Sequence, residues 1–229
     1  MQAVYDQIWA DHWPQLKAGR VEVDPALLDR ERDDRVGLTL IFRPTGAALE
    51  SLLDVCRQID AVEPGQYLYR AAQIHTTVLS IVSCRSGFGL NGEDLAAYVE
   101  IIARVLRRFR SFRIEYRGVA ATVQCALIQG FALDQQLQQV RDGLRESFMD
   151  SGLPHSIDQR YPIATAHCTI QRFVKPLESP ASYCHFLKQR RHCKIGEFSV
   201  GEFSLVLNDW FHSADRVIEL ERFLLPAAE

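Results

Sequence analysis

The sequence predicts an α+β protein made of two halves that repeat one order of elements. Hydrophobic residues alternate at period two in some stretches and recur at period 3.6 in others, so strands and helices interleave along the chain. The phrase His-x-Thr-aliphatic occurs twice, as His75-Thr76-Thr77-Val78 and as His167-Cys168-Thr169-Ile170. When the chain is displaced by the 92 positions that separate the two histidines, the elements fall on one another in the order strand, helix, His-strand, helix, strand, strand.

The elements follow in chain order. Residues 1 to 35 read as an N-terminal extension. Val4, Ile8 and Trp9 lie along one side of a short helix that Trp13-Pro14 is expected to end, and the charged run from Glu22 and Asp24 through Asp29 to Arg35 is expected to stay solvated. The regular domain, 36 to 229, is expected to be two intertwined lobes. It opens with Val36, Leu38, Leu40 and Phe42 alternating as a strand, broken by Pro44 and Gly46. A helix follows with Leu49, Leu52, Leu53, Cys56 and Ile59 on one stripe. A Pro-Gly loop carrying Tyr67 and Tyr69 leads to the first motif strand, Ile74 to Val82. After Asn91-Gly92, with Glu93 and Asp94 suiting a first helical turn, a stripe runs Leu95, Val99, Ile102, Leu106 and Phe109. Two strands come next, around Phe112 to Tyr116 and Val123 to Leu127. Leu137, Val140, Leu144 and Phe148 then mark a helix closed near Gly152. The second motif strand spans Ile163 to Phe173, and Ser179-Pro180 starts a helix to about Arg191. Two final strands are expected, Glu197 to Leu207 and Arg216 to Leu225.

Composition narrows the function classes. With 229 residues, 47% of them hydrophobic, the chain is long enough to bury a sizeable core. Its 26 basic and 29 acidic residues leave a net charge of −3, so there is no global attraction to polyanions and any nucleic-acid contact must be local. The densest basic run, Arg104, Arg107, Arg108, Arg110, Arg113 and Arg117, reads as a solvated helix face. No run approaches the roughly 18 apolar residues of a spanning helix, and the N-terminus lacks the basic and apolar regions of a signal peptide. A soluble, cytoplasmic monomer without membrane contact is expected. The six cysteines show no CxxC spacing and should be reduced thiols. Cys184-His185 and His192-Cys193 match no common zinc module, so neither metal nor cofactor is expected.

Side chains two apart on a strand share a face, so the His and Thr of each phrase point together. One neutral imidazole can take a proton from an attacking hydroxyl or water while a protonated one supplies the leaving oxygen. The adjacent hydroxyls can donate to anionic oxygens. His75 and His167 are therefore the candidate acid and base, with Thr77 and Thr169 as candidate phosphate ligands. Cys168 is expected in the core rather than as a nucleophile.

These two phrases resemble the signature of the two-histidine (2H) phosphoesterases, which include RNA-end cyclic phosphodiesterases and bacterial RNA 2′,5′-ligase-like proteins. That family repeats His-x-Thr/Ser-aliphatic about 80 to 100 residues apart, and the resemblance spans about Val36 to Leu225. It implies a bilobal α+β fold in which antiparallel sheets line a central cleft and helices lie outside. It also implies metal-independent hydrolysis of 2′,3′-cyclic phosphates or related nucleotide and RNA-end phosphodiesters. Members of the ligase-like branch carry a basic residue shortly after the second motif, where Arg172 stands here. Strand parity from His167 puts Arg172 on the far face unless the strand bulges. The matching position after the first motif is Ser80. Tyr67, Tyr69 and Tyr161 are candidates for stacking a nucleobase, whereas Phe173 reads as core. The extension and the tyrosine loop lie outside the signature and mark a divergent branch. The alternative reading is a binding module that senses a nucleotide or phosphate ester without turning it over.

Overall fold

The structure is a computed structural model that describes residues 1–160 and 162–228. Helices α1 (Gln2–Lys17), α2 (Pro25–Leu28), α3 (Gly46–Val62), α4 (Gly92–Leu106), α5 (Gln136–Met149) and α6 (Pro180–Arg190) accompany nine strands. The strands are β1 (Val36–Phe42), β2 (Tyr67–Leu68), β3 (Thr76–Arg85), β4 (Phe112–Ala121), β5 (Cys125–Ala132), β6 (Cys168–Arg172), β7 (Lys194–Val200), β8 (Glu202–Asn208) and β9 (Ile218–Leu224). They form two sheets, ordered β3-β1-β8-β9 and β2-β6-β5-β4-β7, and every pairing is antiparallel. The α+β class read from the periodicity is the observed one.

The repeat is visible in the sheet order. Each motif strand neighbours the opening strand of its own half, β3 on β1 and β6 on β5. The next place in each sheet is filled from the other half: β4 leaves the first half to pair with β5, and β8 returns from the second half to pair with β1. Two expectations need correcting here. The stretch Glu197 to Leu207 is two strands in different sheets, because the chain crosses over at Gly201 between β7 and β8. Nor do the closing two strands of each repeat coincide as pairs, since β5 occupies the place of β1 and β9 the place of β7. The loops before the motifs also exchange. Tyr67 and Leu68 pair with β6, while Ser156 N donates to Ile81 O (2.9 Å) and Ser156 Oγ accepts from Ser83 N (2.7 Å) on β3.

One apolar cluster runs through both sheets and the helices packed on them. On α5 the four predicted core residues, Leu137, Val140, Leu144 and Phe148, are all fully buried. On α3 and α4 the buried stripe is turned slightly from the predicted one. Ala48 and Val55 replace Leu49 and Leu53, and Tyr98, Ile101 and Val105 replace Leu95, Val99 and Phe109, which are only partly buried. Asn91 caps α4 by accepting from Asp94 N (2.8 Å).

The extension is fastened to the body. Helix α1 continues through Pro14 to Lys17, contrary to the expected stop. Pro14 lies on the exposed side, and so does Ala10, whose carbonyl the proline leaves without a helical donor but open to solvent. Tyr5 is 1% exposed; its hydroxyl donates to Gly130 O (3.1 Å) and accepts from Gly130 N (3.0 Å). The charged run is not simply solvated either. Asp24 caps α2, and Asp33 is buried with its carboxylate held by Arg35 at 2.7 Å through both oxygens. Among the described residues no helix is long and apolar enough to cross a membrane.

Candidate active site

Each motif strand carries a bulge at the aliphatic fourth position of its phrase. On β3 the register steps from Leu40↔Leu79 to Ile41↔Thr77, which leaves Val78 unpaired. On β6 it steps from Ala126↔Gln171 to Leu127↔Thr169, which leaves Ile170 unpaired, its carbonyl accepting from Tyr69 N (2.9 Å). An extra residue inverts the facing of everything beyond it. Ile170 and Gln171 are consecutive and both fully buried, and Arg172 is thereby turned to the same side as His167 and Thr169. The bulge that strand parity required is present in both halves, and Ser80 is the counterpart of Arg172.

The strands proper begin one residue after each histidine, at Thr76 and Cys168. Contrary to expectation, the segment 163–167 is therefore not strand. Its backbone is held by close approaches instead. Ala166 O presses on β5 where a Cβ at Gly130 would meet it at 1.9 Å, so only glycine fits there. Thr165 O accepts from Arg141 Nη2 (2.7 Å).

The two phrases meet. Thr76 and Cys168, the second residues of the two motifs, touch at 3.2 Å between Oγ1 and Sγ, and Tyr116 Oη lies 3.1 Å from the same Oγ1. Thr76 and Cys168 are buried, and burial pushes the Cys168 thiol up to about 11, so it is a core group and no nucleophile. On the opposite side, His75, Thr77, His167, Thr169 and Arg172 all line one cleft of about 620 Å³ between the sheets.

Each imidazole is anchored through Nδ1 by the residue two positions before it. His75 Nδ1 lies 2.7 Å from Gln73 O, and since a carbonyl only accepts, Nδ1 carries the proton and Nε2 its lone pair. His167 Nδ1 lies 2.8 Å from Thr165 Oγ1, a hydroxyl that serves either tautomer. Loss of water contact, joined by the Arg43, His167 and Arg172 charges and opposed by the Gln73 carbonyl, lowers His75 to about 4. Loss of water contact and then Arg141 and Arg172 lower His167 to about 4. At neutral pH both rings are uncharged.

Arg141 ties the halves together beneath the cleft. It is fully buried on α5 and donates from Nε to Val78 O (2.9 Å) and from Nη2 to Thr77 O (2.9 Å) and Thr165 O, so one guanidinium grips the β3 bulge and the segment before His167. Burial lowers its pKa to about 10, which still leaves it charged near neutrality.

The expected stacking residues are placed differently. Tyr69 lines the cleft but is only 2% exposed, and its hydroxyl accepts from Arg172 Nε (2.9 Å), so it orients the arginine. Tyr67 is outside the cleft lining and accepts from Gln73 Nε2 (2.7 Å), buttressing the residue that anchors His75. Tyr161 lies outside the described residues. Phe173 is in the core against Tyr183, as expected. Cys184 is buried and Cys193 half-buried while His185 and His192 are exposed, and among the described residues no three His, Cys, Asp or Glu side chains gather as a metal-ligating group. None of the six arginines from Arg104 to Arg117 lines the cleft.

Sequence reading missed Trp210 and His212, which line the cleft from the loop between β8 and β9, and Val4, Ile8 and His12, which line it from α1. A loop residue without periodicity gives no signal. The α1 stripe does give one, because Val4 and Ile8 share a side of the helix.

No protein-family model matches the chain, and no curated protein matches it. Solved structures do. TT0787 of Thermus thermophilus superimposes with a TM-score of 0.61 at 17% identity, over 85% of this chain and 100% of that one. A phosphoesterase crystal structure gives 0.58 at 15% identity, over 84% and 99%. E. coli LigT in complex with 3′-AMP gives 0.58 at 15% identity, over 83% and 98%. The chain therefore has the fold of the LigT-like phosphoesterases.

Proposed function

We propose that this chain is a two-histidine phosphoesterase that hydrolyses nucleoside 2′,3′-cyclic phosphates or related nucleotide phosphodiesters without a metal. The observation that carries this reading is the meeting of the two His-Thr pairs and Arg172 along one cleft, with Thr76 and Cys168 in contact behind them. Nucleotide recognition is supported by E. coli LigT, which has been crystallised with 3′-AMP, ATP and NADP+.

His75 acts as base in the hydrolytic direction, since its carbonyl-anchored tautomer leaves Nε2 bare. Nε2 takes a proton from water as the water oxygen bonds to phosphorus. The P–O bond to one ribose oxygen breaks, and His167 gives that oxygen a proton. Thr77, Thr169 and Arg172 hold the non-bridging oxygens as charge builds on them. Substrate brings an anion between two depressed imidazoles, and its field favours the protonated state that His167 needs.

The test is release of nucleoside monophosphate from 2′,3′-cyclic nucleotides with EDTA present. His75→Ala and His167→Ala should each lower kcat by about 10²- to 10⁴-fold while ligand still binds. Binding of cyclic nucleotide with no turnover by the wild type would instead identify a sensor.

A further inference from the structure

Besides His12 of α1, the cleft holds another imidazole that neither motif supplies, and this one touches His75. His212 lies between β8 and β9, and its ring stacks on that of His75 with centroids 3.7 Å apart and planes 29° from parallel. It is 8% exposed, lines the cleft, and its Nδ1 is buried without a hydrogen-bond partner. Its backbone has φ +50°, a left-handed conformation uncommon for a side-chain-bearing residue.

The loop is built to hold this pose. Asp209 accepts from Ser213 N (2.7 Å) through one oxygen and from Ser213 Oγ (2.6 Å) through the other, and Arg30 Nη1 reaches the same hydroxyl (3.2 Å). Phe211, the residue before it, is fully buried. A polar ring with an unpaired buried nitrogen on a strained backbone contributes little to folding, and such outliers gather at functional sites.

We propose, resting on the reading of this cleft as the site of phosphodiester cleavage, that His212 is a positioning residue: its ring face fixes the plane of His75 and receives the positive charge that forms there on proton transfer. A cation over an aromatic face is attracted to it. No proton need pass to His212 itself. Two charged rings at this separation would repel, and the other groups facing the pair are Arg43 after β1, and His167 and Arg172 of the second motif. Asp209, the carboxylate of the turn, is occupied by Ser213. Loss of water contact, and then the His75, Arg43 and Arg172 charges, hold His212 well below the usual imidazole range.

The proposal separates aromatic stacking from titration. With 2′,3′-cyclic CMP as substrate, His212→Phe should keep kcat within about 1.5-fold of wild type, whereas His212→Ala should lose about 2- to 30-fold in kcat with little change in KM. If the alanine variant fails to fold, His212→Gln, which is planar but not aromatic, takes its place with the same expectation. NMR titration of the His75 Cε1–H signal should show a lower midpoint in His212→Ala than in His212→Phe, because only phenylalanine keeps a ring face for the charge. An alanine or glutamine variant with wild-type kcat and an unmoved His75 midpoint would overturn the proposal, as would equal damage by phenylalanine and alanine. Should the wild type turn over no phosphodiester, the reading of the cleft fails, yet the His75 titration still decides whether His212 governs that ring.

Discussion

Lowering the pH from 7 to 5 should destabilise this protein through its two motif histidines. Both sit at about 4 in the folded chain against 6.5 in the unfolded one. Their contribution to stability is thus complete above pH 6.5 and is lost as pH falls toward 4, because over that window the unfolded chain binds protons that the folded chain refuses. At pH 5 the loss amounts to about 2 kcal/mol for each ring, and together the two would remove a large share of the roughly 5–15 kcal/mol typical of a domain. Urea titrations at the two pH values, on the wild type and on a His75→Gln, His167→Gln double variant, isolate this from the carboxylates, which cancel. The wild type should lose about 4 kcal/mol more than the variant. Inorganic phosphate or nucleotide bound in the cleft should shrink the difference, since an anion favours the protonated rings. Parallel loss in the two proteins would refute the claim that the cleft keeps both imidazoles neutral.

Other expectations follow from single contacts. Arg141→Met leaves the Thr77, Val78 and Thr165 carbonyls without their donor and should cost about 3–5 kcal/mol by thermal or urea denaturation. Arg172→Gln should reduce kcat about 10²-fold, with stability changed far less, if the arginine stabilises charge on phosphate; an effect confined to KM would limit it to binding substrate. Gly130→Ala drives a Cβ into Ala166 O and should lower both stability, by about 1–3 kcal/mol, and kcat, by displacing His167. Val78→Ala should lower stability by about 1–3 kcal/mol and leave the pH profile unchanged, because Val78 faces the core.

The histidines, the threonines and the repeat are legible because a strand's period of two and a fixed displacement are local properties of the chain. The facing of Arg172 is not, because one unpaired residue, Ile170, inverts parity and its presence depends on the register with β5. Tyr69 misleads for a related reason. A tyrosine in a Pro-Gly loop looks exposed until that loop laces onto β6 and buries it beside Arg172. Arg141 reads as a polar interruption in the α5 stripe, yet it is fully buried, since three carbonyls from distant segments converge on it. His212 sits in a loop whose conformation is fixed by Asp209 and Ser213, and nothing in the local pattern marks it.

The crossing of β4 and β8 between the sheets has a consequence for how such a molecule can be divided. A chain cut between β4 and β5 gives two pieces, and each lacks the inner strand of its own sheet. Neither fragment can close alone, but the two together regain every pairing, so mixing them should restore the whole where either by itself aggregates.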